Sequence, residues 1–218
     1  MEIVVYALLV VTSIVGLTFI VERGWALRWR KVVPPEIEAA LESCRSREDI
    51  GVLRRMCEQH SAPISRLLVD AISHLDWPKD ENADALQTRA RHEIVRLERG
   101  LVVLEVIVGI APLLGLVGTI AGMMTLFGNI GQAGLTDASL LARGIALILN
   151  ATLMGLLIAI PALIFWSYYT KKVEMFAVEM ETMCDEFLRR QYRETESSVS
   201  SAVKRPPLPH PETSTPGT

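Results

Sequence analysis

Thr119 and Thr125 stand in "APLLGLVGTIAGMMTLFG", and Asn150 and Thr152 in "GIALILNATLMGLLIAIPAL", two stretches otherwise fit for lipid. These side chains could do hydrogen-bond chemistry. A threonine hydroxyl can donate to the carbonyl three or four residues back and still accept a bond. An asparagine amide is costlier in hydrocarbon and needs a partner or water. Polar groups at similar depth on two antiparallel helices could form an interhelical clasp or the wall of a wetted pore. Neither stretch holds a titratable side chain, and Glu105 at the edge of the first reaches the interface. A proton crossing here therefore needs a carboxyl from another protein, or water. Pro112, Gly115, Gly118 and Gly122 stand beside these groups, and Pro161 lies further along. The three glycines recur at spacings of three and four, so they share one helix face, which Ala111 extends and Ala121 flanks. In lipid, small residues let helix backbones approach closely, and dense packing compensates for the helix propensity that glycine loses.

The elements that carry these residues follow from the charge pattern. Of 218 residues, 50% are hydrophobic, and mean hydropathy is +0.31. Uncharged runs cover 3–21, 106–136 and 144–170. About 20 apolar residues cross a bilayer, so three spans are expected, at 1–21, 106–128 and 144–169. Burying three such runs in a soluble fold would require far more chain. Basic residues follow the first span (Arg23, Arg28, Arg30, Lys31), precede the second (Arg96, Arg99) and follow the third (Lys171, Lys172). The positive-inside rule then puts the N-terminus outside, 22–105 in the cytoplasm, 129–143 outside and the C-terminus inside. Trp25, Trp29, Trp166, Tyr168 and Tyr169 fall where the cytoplasmic interface should lie. The acidic start and the Glu22-Arg23 pair suit a retained anchor better than a cleaved leader.

The cytoplasmic part reads as an all-α domain, with no strand alternation. Pro34-Pro35 precedes "EIEAALESC", Ser46 caps "SREDIGVLRRMC", and Ser61 and Pro63 open "ISRLLVDAISHL". "WPKDEN" (77–82) reads as a turn, and a long helix is expected from Asp84 into the second span, with Gly100 its only weak point. Val173, Phe176, Met180, Met183 and Phe187 keep one apolar face along a stalk at 170–193, which needs partners in its own chain and in other subunits. The tail 194–218 is Pro-, Ser- and Thr-rich and expected to be disordered, with "RPPLPHP" a polyproline II pattern. Cys44, Cys57 and Cys184 read as reduced structural thiols, and His60, His74, His92 and His210 as surface residues. No nucleophile–base pair, phosphate loop or metal-ligand cluster appears, so neither an enzyme, a cofactor nor a nucleic-acid partner is expected.

The blocks "LERGLVVLEVIVGIAPLLGLVGTIAGMM" and "GIALILNATLMGLLIAIPAL", with "FIVERGWALRWR" after the first span, resemble the MotA/TolQ/ExbB proton-channel family, ExbB/TolQ branch, over about residues 3–190. The resemblance implies an inner-membrane pentamer around a pore lined by the second and third helices. Within it would sit a single-span ExbD/TolR-like partner whose Asp carries protons, passing work to a TonB/TolA-like protein. Thr119 and Thr152 match the family's pore threonines. The family pattern "G-I-(S/A)-E-A-L-I-A-T" has a glutamate where this chain has Leu147, and Asn150 is a polar group that could partly substitute. That departure motivates an alternative, a non-conducting scaffold anchoring a partner complex. A glycine-lined wall suits a partner helix that must turn inside it.

Overall fold

A computed structural model describes the backbone over residues 2–44, 47, 49–133 and 138–203, and the side chains over 3–44, 47, 49–128 and 141–194. Within these residues the chain is helical: α1 (Glu2–Ala26), α2 (Trp29–Val32), α3 (Pro35–Ser43), α4 (Ile50–Gln59), α5 (Pro63–Ser73), α6 (Lys79–Glu98), α7 (Leu101–Ala133) and α8 (Ala138–Val203). Three helices are long and apolar enough to cross a membrane, over Ile3–Ala26, Leu101–Gly128 and within Leu141–Glu194. Polar residues in α1 do not disturb it, because Thr12 and Thr18 donate their hydroxyls to Leu8 O and Ile14 O, both at 2.8 Å.

The helix breakers of the sequence become helix starts. Pro35 and Pro63 occupy the first turns of α3 and α5, where a missing N–H costs nothing. Pro78 caps α6, whose first turn carries Asp80 and Glu81, favourable at the positive end of the helix dipole. The expected turn at 77–82 therefore shrinks, and the long helix begins at Lys79 rather than Asp84. The N-cap of α4 is Asp49; the expected cap Ser46 lies outside the described residues.

The expected run into the second span is interrupted at Arg99–Gly100, its one weak point. A Cβ on Gly100 would collide with the guanidinium of Arg23, so the glycine gives that side chain room to cross. Glu22 grips Arg23 with two 2.7 Å bonds, and Arg23 Nη1 makes a long 3.4 Å bond to Leu97 O near the end of α6.

The third span and its stalk form one helix of 66 residues, about 100 Å long at 1.5 Å per residue. α8 continues to Val203, ten residues into the segment expected to be disordered; 204–218, with the polyproline pattern, lies outside the described residues. The 129–143 loop contracts likewise, since helix reaches Ala133 and resumes at Ala138, leaving 134–137 outside the described residues.

The core lies beyond the spans. Val173, Phe176, Met180, Cys184, Phe187 and Leu188 of α8 are buried against Val32, Ile37, Leu53, Leu67 and Leu68. The stalk stripe thus finds its partner within its own chain. Two of the buried polar residues, Asn82 and Glu93, hold partners across the lobe. Asn82 Nδ2 donates to Ala71 O at 3.1 Å and Tyr192 Oη at 3.2 Å. Glu93, 1% exposed, accepts from Arg66 and from Arg96 at 3.1 Å, so its charge is compensated where an unpaired one would be costly. Cys44, Cys57 and Cys184 are buried free thiols. His92 is exposed as expected, but His60 and His74 are half-buried, their Nδ1 atoms 3.1 Å from Met56 O and 2.8 Å from Asp70 O. His210 lies outside the described residues.

Candidate functional site

α7 and α8 interlock through small residues. A Cβ on Gly115 would stand 2.9 Å from Ala151 O and 3.0 Å from Thr152 Cα; one on Gly122 would stand 2.7 Å from Ile148 Cγ1. From the other side, a Cβ on Gly155 would meet Ala111 O at 2.6 Å. The α8 face continues with Ala159 and Ala162, both buried. The glycine face of α7 is therefore filled by α8 of the same chain. This corrects the expectation of a glycine wall for a turning partner and keeps the packing role of Gly115, Gly118 and Gly122.

α1 packs along one side of this pair. A Cβ on Gly118 would meet Val5 Cγ1 at 3.1 Å, and one on Gly16 would meet Ile107 at 3.6 Å. Tyr6 Oη donates to Leu147 O at 3.3 Å, and Tyr169 Oη to Ile20 O at 2.9 Å. Each residue turns a helix by about 100°. Thr119 thus lies about 100° from Gly118, away from Val5, and Thr152 about 140° from Leu147. Both threonines occupy the flank of the α7–α8 pair turned away from α1. Because Gly115 abuts Thr152, Thr119 stands about 6 Å from it along the bundle, four residues at 1.5 Å each.

Thr119 Oγ1 donates to Leu116 O at 2.7 Å, and Thr125 Oγ1 to Ala121 O at 3.0 Å. These hydroxyls have spent their protons on their own helix, and their lone pairs remain for an outside donor. Among the described residues no hydrogen bond joins Thr119, Asn150 and Thr152, so the interhelical clasp is not formed. Asn150 lies two residues from Thr152, about 200° round the helix, and does not share its flank. Leu147, 65% exposed, also lies on the α1 side. Pro112 shares the flank of Thr119, being seven residues away, whereas Pro161 turns away from that of Thr152. Around the threonines the flank is apolar and exposed, through Leu116, Met123, Leu156 and Leu163. Among the described residues no group of three or more His, Cys, Asp or Glu could hold a metal ion. Sequence reasoning missed Gly155 and Tyr6. The small-residue series Ala151, Gly155, Ala159 carried the signal for the first; nothing local marked Tyr6.

Three long apolar helices, two locked through small residues and continued into a helical lobe, make this a multi-pass membrane protein with a neutral hydroxyl-bearing flank. The chain belongs to the MotA/TolQ/ExbB proton channel family, whose sequence profile matches residues 59–182. It is 32% identical over 182 residues to biopolymer transport protein ExbB-like 1 of Synechocystis sp., covering 78% of this chain and 69% of the relative. It is 37% identical over 111 residues to biopolymer transport protein ExbB of Helicobacter pylori, covering 51% of this chain and 72% of the relative. To ExbB-like 3 of Synechocystis sp. it is 26% identical over 200 residues, 88% of this chain and 94% of the relative.

Proposed function

We propose that this chain is a proton-conducting motor subunit of a bacterial inner membrane. With a single-span partner of the ExbD/TolR kind it uses the proton motive force to drive an envelope process such as biopolymer transport. The observation that carries this reading is the common flank of Thr119 and Thr152, turned away from α1 and about one helical turn apart. Copies of the chain, five by family resemblance, bring these flanks around a central lumen. The partner's membrane Asp sits there, and the threonine oxygens accept hydrogen bonds from it when protonated, or from water when it is ionised. One charge crossing about 100 mV releases roughly 2.3 kcal/mol, comparable to typical couplings of about 1–3 kcal/mol between protein states. The work passes to a periplasm-spanning protein of the TonB/TolA kind. The N-terminus is periplasmic and the lobe cytoplasmic, in keeping with the basic residues at the lobe side of each span.

Proton uptake into vesicles carrying this chain and its partner tests the assignment. Thr119→Ala with Thr152→Ala should slow uptake by about tenfold, the effect of losing about 1.4 kcal/mol of hydrogen-bond stabilisation. Undiminished uptake would remove the threonines from the path.

Leu147, where the resemblance expects a glutamate, favours the second reading, a non-conducting scaffold. Its placement beside α1 supports the first, because the missing carboxyl takes nothing from the threonine flank. No uptake by the wild-type complex would decide for the scaffold.

A further inference from the structure

The outward stripe of α1, away from α7 and α8, runs through Ile14, Leu17 and Val21 to Trp25, each at least 60% exposed. Ile14 and Trp25 are eleven residues apart, within about 20° on the helix. The stripe therefore ends on an indole at the edge of the span. Two cations lie over that ring: Arg28 Cζ is 5.9 Å and Lys31 Nζ 5.7 Å from its centroid. A cavity of about 210 Å³ opens beside it, lined by Val21, Glu22, Trp25, Ala26 and Lys31. Glu22 is already held by both its oxygens on Arg23. Arg28, Arg30 and Lys31 are exposed, and among the described residues none has a carboxylate partner. The corner thus carries three uncompensated positive charges next to an exposed apolar stripe.

We propose that the corner between α1 and α2 binds the phosphate headgroup of an anionic phospholipid, with Arg28 and Lys31 on the phosphate, Trp25 at the glycerol level and an acyl chain along Val21 and Leu17. Indole rings settle at this depth of a membrane, and cations there attract anionic lipids. A zwitterionic choline lipid brings its own positive charge to the same place and is disfavoured. The stripe and cavity supply the apolar surface that free phosphate cannot use.

The test is native mass spectrometry of the full chain in mild detergent, titrated with phosphatidylglycerol or phosphatidylcholine of identical acyl chains. Wild type should retain phosphatidylglycerol preferentially. Arg28→Gln with Lys31→Gln should weaken that lipid's binding about 25-fold, roughly fivefold for each cation removed. The charge-keeping pair Arg28→Lys and Lys31→Arg should preserve it, and Trp25→Leu should reduce it several-fold. Arg54→Gln with Arg55→Gln, the same charge change in the lobe, should leave it unaltered. Excess inorganic phosphate should not displace the lipid. Equal retention of the two lipids by wild type, unweakened binding in the Gln pair, equal loss in the lobe control, or displacement by phosphate would each overturn the proposal. Circular dichroism of every variant separates loss of binding from loss of fold.

Discussion

At Gly115 a single methyl group would meet the carbonyl oxygen of Ala151 at 2.9 Å, whereas at Gly109 it would meet nothing within 4 Å. The two glycines lie six residues apart on one helix and should answer substitution in opposite ways. Gly115→Val should destabilise the bundle by about 1–3 kcal/mol, as overpacking does. Gly109→Ala should be neutral or stabilising by up to about 1 kcal/mol through helix propensity. Thermal unfolding in detergent measures both, and equal shifts would refute close backbone packing at Gly115. The face holding Gly115, Gly118 and Gly122 was legible from spacing alone. What it faces was not, because small residues report close approach without naming the neighbour. The matching series on α8, with Gly155 at its centre, carried the missing half. Asn150 stands apart from the threonine flank for a simpler reason: residues two positions apart point about 200° away from each other on a helix.

α4 turns Leu53 and Cys57 into the lobe, both nearly inaccessible. Burial pushes the Cys57 thiol up from its ordinary 9.0 to about 11, and Glu58 adds to the shift. The folded lobe therefore keeps a proton that the unfolded chain releases. The resulting stability is complete below pH 9 and declines as pH rises from about 9 to about 11. Urea unfolding across that interval should show the decline, and Cys57→Ala should lessen it, the buried Cys44 and Cys184 thiols, also pushed up by burial, keeping the remainder; an unchanged slope in the variant would exclude the thiol. Maleimide should modify Cys57 slowly at neutral pH until urea is added. The helices of the lobe were legible from apolar periodicity, and the starts of α3 and α5 from proline. Gly100 was legible as the weak point between α6 and α7; the Arg23 side chain packed against it was not, because it comes from 77 residues earlier in the chain.

Across the whole molecule, α1 presents one side to α7 and α8 and an apolar stripe outward, while the threonine flank lies on the far side of the pair. If subunits assemble flank to centre, a cysteine at 119 or 152 should react with a water-soluble methanethiosulfonate, and one at Ile14 should not. Mass spectrometry of labelled Thr119→Cys, Thr152→Cys and Ile14→Cys proteins distinguishes them. Reaction at position 14 alone would invert the proposed arrangement. Hydropathy gave the three spans, because the cost of charge in hydrocarbon leaves a plain mark on sequence. The number of copies left no such mark, since one chain satisfies its own glycine face and its own stalk stripe.

The unbroken α8 carries Thr152 near one end and Phe187 in the core of the lobe near the other. Pro161 lies between them and removes one backbone hydrogen bond, yet the helix runs on through it. Tilting the stretch from Thr152 to Phe187, about 52 Å at 1.5 Å per residue, by about 5° displaces Phe187 by roughly 5 Å. A small reorientation among the spans therefore reaches the lobe enlarged, as a stroke wider than a water molecule.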